Sequence, residues 1–308
     1  MIEIEPLTNG IAARVHGIDL ASELAGSLEK QVGAQIEAAW QQHPILVFGD
    51  QNALTTEAQV AFVEGFAKVI EERLPGDQHS FVSNQDGHGL DNMTEGYREG
   101  PLTPHMDYTY TPFPADVISL FAVDVPQNGT ATRFYDNARP LKVMPRALRA
   151  QIEAYTIFCA HDLAAMKPDA RPAFEGRTDP AAPTQSHIWP MVRSHPKRRD
   201  YETLVCTLQQ TERIMELSDE ERGDPKSRAM LTRIFDEYLY VPENEYVHEW
   251  KVGDLVVWDN LGVQHARDAC PPSEGARNFR RVAGCDAGNA IEDTVAFLGL
   301  AAASDAFS

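Results

Sequence analysis

Short apolar runs, each closed off by proline or glycine, recur along this chain, and their spacing limits the fold more than any other feature. Ile11–Leu20, Ile45–Phe48, Asp116–Val123, Ala131–Tyr135, Trp189–Arg193, Tyr201–Leu208, Asp254–Trp258 and Asn278–Gly284 all read as strands. The 20 prolines and 20 glycines are scattered among them, so the punctuation is spread over the whole length. Helical spacing is confined to four stretches. In Ser27–Gln42, Leu28, Val32, Ile36 and Trp40 recur every four residues until Pro44 breaks the pattern. Thr56–Ile70 opens with a Thr55 or Thr56 cap and Glu57 in its first turn. Helices are also expected from Pro145 to about Tyr155, and over Glu220–Tyr238 with a break at Gly223-Asp224-Pro225. Many strands with helical decorations imply a barrel or sandwich rather than a parallel doubly wound sheet. The absence of GxGxxG and GxxxxGK[ST] agrees, because nucleotide folds lose their usual signature.

No repeat or linker divides the 308 residues, so one domain, 1–308, is expected. Two polar stretches interrupt it, at about residues 74–104 and about residues 167–186. A long Gly-rich loop within a packed domain is usually functional, and the first is expected to border a site. The formal net charge of −19, from 27 basic and 46 acidic residues, argues against nucleic acid or an anionic membrane as partner. No apolar stretch approaches the roughly 18 residues of a membrane helix, and MIEIEPLTNG lacks the features of a secretory signal. Cys159, Cys206, Cys270 and Cys285 form no CxxC pair and read as reduced thiols, so a cytoplasmic location is expected.

The chemistry gathers around Pro104-His105-Met106-Asp107-Tyr108. If His105 begins a strand, His105 and Asp107 project to one face, because strand side chains repeat every two residues. An imidazole and a carboxylate there supply two thirds of a facial triad, a metal site with open positions. Alone, His-x-Asp is a weak signal. His265, in VGDLVVWDNLGVQHARD, is the candidate third ligand, although a core histidine bonded to a carbonyl has the same appearance. Arg277 and Arg281 lie four apart on the last strand and share a face, with Arg280 on the other, unless a bulge intervenes. Two inward guanidiniums need anionic partners, either buried Asp or Glu or the carboxylates of a ligand. His16, His43, His161, His187, His195 and His248 have no carboxylate at ligand spacing and read as structural.

Taken in order, these pieces resemble the taurine dioxygenase/TfdA family of iron(II)- and 2-oxoglutarate-dependent oxygenases. The resemblance spans LTNGIAARVHGIDL, ILVFGDQNALTTEAQVAFVEGFA, HMD, the NGTAT turn, VRSHP, GDLVVWDN…QH and RNFRR. It implies a mainly β, α+β fold with a double-stranded β-helix (jelly-roll) core. It further implies His105, Asp107 and His265 as ligands of Fe(II), and Thr132 and Arg277 at the distal carboxylate of 2-oxoglutarate. Arg281 matches a position that meets an acidic substrate group, and Tyr108 borders the same pocket. The implied reaction consumes O2 and 2-oxoglutarate, releases succinate and CO2, and oxidises a small organic substrate. An anionic substrate and a homo-oligomer are expected. Asp107 disfavours halogenation, for which that carboxylate is replaced by a small residue. A non-catalytic cupin-like binder, or a desaturating or cyclising oxygenase on the same scaffold, are the alternatives. Three positions depart from the family pattern: Pro104 stands for a common Trp, Phe66-Ala67 for Phe-Gly, and Lys197-Arg198-Arg199 for Thr-Gly-Arg.

Overall fold

The computed structural model describes residues 2–25, 30–72, 76–85, 98–161, 173–175, 185–218 and 225–287, and every structural statement refers to these. Its strands in chain order are β1 (Glu3–Pro6), β2 (Ala12–His16), β3 (Ile45–Phe48), β4 (Ser80–Ser83), β5 (Leu102–His105), β6 (Val117–Asp124), β7 (Ala131–Asp136), β8 (Thr156–His161), β9 (Gln185–Pro190), β10 (Val192–Ser194), β11 (Glu202–Leu204), β12 (Thr211–Ile214), β13 (Glu245–Glu249), β14 (Leu255–Asp259), β15 (Val263–Arg267) and β16 (Asn278–Gly284).

The apolar runs of β3 and β14 are buried at every position because both faces of their sheet are covered. That sheet has seven strands in the order β1-β2-β3-β14-β6-β16-β4. Alternate residues part to opposite sides, as the two-residue repeat requires. Leu46, Phe48, Leu255 and Val257 pack with Val32, Ile36 and Trp40 of the Lys30–Gln42 helix and Phe62 and Val63 of the Thr56–Glu64 helix. Ile45, Val47, Val256 and Trp258 pack the other way, against Phe134, Tyr246 and Val263 of a second sheet, ordered β13-β7-β15-β5. Phe134 and Trp258 meet edge-on across this sandwich at 5.3 Å. Two facing sheets, antiparallel except for the parallel β2–β3 pair, with helices outside one of them make the expected jelly-roll core. A three-stranded sheet, β12-β8-β9, and the β10–β11 hairpin hold a third core, with Leu148, Ile152, Ile157, Leu231 and Ile234.

The structure shortens several expected elements. The helix foreseen over Thr56–Ile70 ends at Glu64, since the following backbone is drawn to β16. There Val69 bridges Gly284, Ile70 N–H donates to the Ala283 carbonyl at 3.0 Å, and Cys285 N–H donates to that of Lys68 at 2.8 Å. Thr55 is the cap, its side chain accepting from Ala58 N–H at 3.2 Å. Met191 divides the foreseen strand at Trp189–Arg193 into the end of β9 and the start of β10. Residues 86–97 of the first polar stretch, most of the second, and the tail beyond 287 lie outside the described residues.

Candidate active site

β15 pairs antiparallel with β5 so that His265 stands opposite His105, and the two rings come within 4.1 Å. His105 ends its strand rather than beginning one, so the expected same-face geometry is reached by another route. After Met106 the chain turns, and Asp107 lies just past the strand. Asn260, fully buried between β14 and β15, clamps it there. Its Oδ1 accepts from Asp107 N–H at 2.9 Å, and its Nδ2 donates to the carbonyls of Asp107 at 3.1 Å and Ala115 at 2.9 Å. Tyr108 then takes φ +64°, a left-handed conformation costly for an aromatic residue. The turn is closed by Thr111, whose N–H and hydroxyl both donate to the Tyr108 carbonyl at 2.9 Å.

This route brings Asp107 Oδ1 within 3.4 Å of His105 Nε2 and Asp107 Oδ2 within 3.9 Å of His265 Nε2. One donor atom from each of the three residues lies within 4.8 Å of the others. The protonation states suit a cation. Burial would raise the Asp107 carboxyl, but Arg281, His265 and His105 hold it well below the usual carboxylate range. Burial, with His105 nearby, holds the His265 imidazole well below its ordinary value, and therefore neutral. His105 Nδ1 hydrogen-bonds the Thr103 carbonyl at 2.8 Å, which aims Nε2 at Asp107. No fourth His, Cys, Asp or Glu joins the group among the described residues, so a metal held here keeps positions for other ligands.

The expected co-substrate residues lie to one side. Thr132, on β7, stands opposite Arg267 of β15, and its hydroxyl accepts from Trp250 Nε1 at 2.9 Å. Arg277 precedes β16 and is only 1 % exposed. Its guanidinium donates to the Arg98 carbonyl at 3.1 Å, and Arg267 reaches the same oxygen at 3.5 Å. Two buried guanidiniums meeting at one point suit a carboxylate, the group proposed for this end of 2-oxoglutarate. Arg280 takes the opposite side of β16. It donates to Gln59 Oε1 (2.7 Å), Thr56 Oγ1 (3.2 Å) and the Leu54 carbonyl (2.7 Å), and so ties the Thr56–Glu64 helix to the sheet.

For Arg281 the sequence left open whether the anionic partner is a buried Asp or Glu or an acidic substrate group, and the structure supplies two carboxylates from within the chain. Nε and Nη2 donate to the Glu72 carboxylate at 2.7–3.0 Å, and Nη1 lies 2.8 Å from Asp107 Oδ2. Burial lowers the affinity of this guanidinium for its proton, but the two carboxylates outweigh it and keep the group charged. Glu72 also accepts from Tyr108 Oη at 2.9 Å and Ser80 Oγ at 3.2 Å. No spacing in the sequence points to Glu72, nor to Asn260 or Arg267. His161 is also more than structural filler. At the end of β8 it stacks on Tyr110 with ring centroids 4.4 Å apart, and burial pushes its imidazole down to about 4. His195 and His248 do read as structural. They pair with Asp259 at 3.0 Å and Asp254 at 3.2 Å.

Comparison with known proteins agrees with this geometry. The family described as "Taurine catabolism dioxygenase TauD, TfdA family" matches residues 3–284. Pentalenolactone F synthase of Streptomyces arenae is 26% identical over 294 residues, covering 89% of this chain and 92% of the relative. The (S)-phenoxypropionate/alpha-ketoglutarate-dioxygenase of Sphingobium herbicidovorans is 27% identical over 280 residues, covering 85% and 88%. The crystal structure of AAD-2 in complex with Mn(II) and N-oxalylglycine superposes with a TM-score of 0.72 at 26% identity, covering 94% of this chain and 99% of that one. With a His-Asp-His triad gathered where β5 meets β15 of a jelly roll and a family match over nearly its full length, this chain belongs to the TauD/TfdA family of Fe(II)- and 2-oxoglutarate-dependent dioxygenases.

Proposed function

We propose that His105, Asp107 and His265 hold Fe(II), that Arg277 and Thr132 hold the distal carboxylate of 2-oxoglutarate, and that Arg267 adds a second cation there. The observation that carries this reading is the triad itself, with donor atoms within 4.8 Å at and just past the paired strands β5 and β15, Asp107 held ionised and His265 held neutral. Bound there with O2, Fe(II) and 2-oxoglutarate would supply an oxidative decarboxylation that puts one oxygen atom into succinate, releases CO2 and directs the other at a substrate C–H bond. The chain's own residues bind and orient. Asn260 sets Asp107, Thr103 sets His105, and Tyr108, Tyr110 and His161 form part of the wall where substrate approaches.

The substrate is a small organic molecule. Support for an anionic one comes from the relatives, among them an enzyme named for (S)-phenoxypropionate. Arg281 no longer adds to that support, because Glu72 and Asp107 already meet its charge. The test is spectroscopic and chemical. Anaerobic Fe(II) and 2-oxoglutarate should give a weak visible charge-transfer band, and admission of oxygen should yield succinate. A protein that binds iron yet shows neither the band nor succinate is a metal-binding protein and not an oxygenase.

A further inference from the structure

We infer that Glu72 is a built-in counter-anion for Arg281, a positioning residue that leaves Asp107 free to bind the metal and closes this guanidinium to outside anions. The inference rests on the metal-centre reading above and assigns to it a residue outside the triad.

The geometry is a chain of charges, Glu72⁻–Arg281⁺–Asp107⁻, within a buried wall. The Glu72 and Arg281 side chains are 2 % and 6 % exposed. Glu72 takes the two-pronged side of the guanidinium, with contacts from both Nε and Nη2, whereas Asp107 receives only Nη1 at 2.8 Å. A guanidinium binds a carboxylate best through two parallel N–H groups. Arg281 therefore spends its stronger face on Glu72 and a single contact on Asp107, whose other oxygen, Oδ1, faces His105. Glu72 is itself braced by Tyr108 Oη and Ser80 Oγ, and Ser80 stands opposite Arg281 in the β4–β16 pair. Without the Glu72 charge, the positive charge of Arg281 beside a divalent cation would rest on Asp107, and its two-pronged face would be free to compete with the metal for that carboxylate.

The same arrangement bears on substrate recognition. Of the guanidiniums described, Arg281 is the one in direct contact with a triad residue, and its anion-binding face is already filled from within the chain. The part of a substrate that lies over Arg281 and Tyr108 is accordingly uncharged, and any acidic group it carries is held elsewhere.

The test is Mn(II) binding to the full chain, read by electron paramagnetic resonance of free Mn(II), with and without sodium formate. Glu72→Gln keeps the shape and can keep a hydrogen bond, and Glu72→Ala opens a space the size of a small carboxylate. Both should weaken Mn(II) binding at least tenfold. Formate should restore Glu72→Ala to within threefold of the unmodified protein by taking the vacated place on Arg281. It should do little for Glu72→Gln and nothing for the unmodified protein. Should Glu72→Ala fail to fold, judged by circular dichroism, the loss in Glu72→Gln and the indifference of the unmodified protein to formate decide the matter. Mn(II) affinity of Glu72→Gln within threefold of the unmodified protein overturns the inference. So does weakened binding in a folded Glu72→Ala that formate does not restore, or formate restoring both variants alike. An unmodified protein that binds no Mn(II) overturns the metal-centre reading instead, and this inference with it.

Discussion

Asn260 grips Asp107 by both halves of its backbone, accepting from its N–H at 2.9 Å and donating to its carbonyl at 3.1 Å. Asn260 follows β14 and Asp107 follows β5, so one side chain couples the two sheets at the point where the carboxylate leaves its strand. Removing it leaves buried backbone groups unsatisfied, at about 1–3 kcal/mol each. Asn260→Ala should therefore lower both thermal stability and metal affinity, the latter by about 10–100-fold, the range for partners that orient a ligand. Mn(II) titration beside a thermal melt checks both. An unchanged metal affinity would show that the turn at Tyr108 holds Asp107 without help.

Asp107→Ala should abolish succinate formation, since two imidazoles alone hold Fe(II) weakly and in another geometry. Near-normal succinate release by this variant would refute the triad.

Arg277 and Arg280 lie three residues apart and should fail in different ways. Arg277→Ala should weaken 2-oxoglutarate binding by about 30–1000-fold, equivalent to about 2–4 kcal/mol for a buried charge-assisted pair. Arg280→Ala should leave that affinity within a few fold and lower the melting temperature, because it frees the Thr56–Glu64 helix from β16. Calorimetric titration with 2-oxoglutarate and thermal melts separate the two, and equal effects on affinity would contradict the strand register.

The metal-free protein should lose stability as pH falls. Burial lowers the His161 imidazole to about 4. Below the unfolded-state value of about 6.5, the unfolded chain takes up a proton that the folded chain refuses. The stability due to neutral His161 is thus complete above about 6.5 and is lost as pH falls towards about 4, by up to roughly 3 kcal/mol. Urea melts of the metal-free chain between pH 7 and pH 4.5 should show this slope, and His161→Gln should flatten it. Identical slopes would mean that His161 does not titrate abnormally.

What was legible in the sequence was what repeats locally. The full burial of ILVF and LVVW follows from apolar side chains at successive positions, which a strand can hide only between two layers. The opposition of Arg280 to Arg281 follows from the two-residue repeat. His105, Asp107 and His265 were readable as a set only through the ordered resemblance to the family, because His-x-Asp and a lone distant histidine are each weak signals by themselves. Other features depended on which distant strands became neighbours. The Thr56–Ile70 pattern overran because nothing local announces that residues 68–70 will pair with the end of β16. His161 looked inert until the β8 sheet stacked it on Tyr110.

Arg281 marks the boundary between the two kinds of information. Its sequence position determined that it faces inward and must meet negative charge, since a buried guanidinium cannot stand alone. Whether that charge arrives with a ligand or belongs to the chain was decided by the fold, which brings in Glu72 from 209 residues away and sets Asp107 beside it. Periodicity fixes the side of a strand on which a residue points. Only the packing of strands and loops distant in sequence fixes what waits for it there.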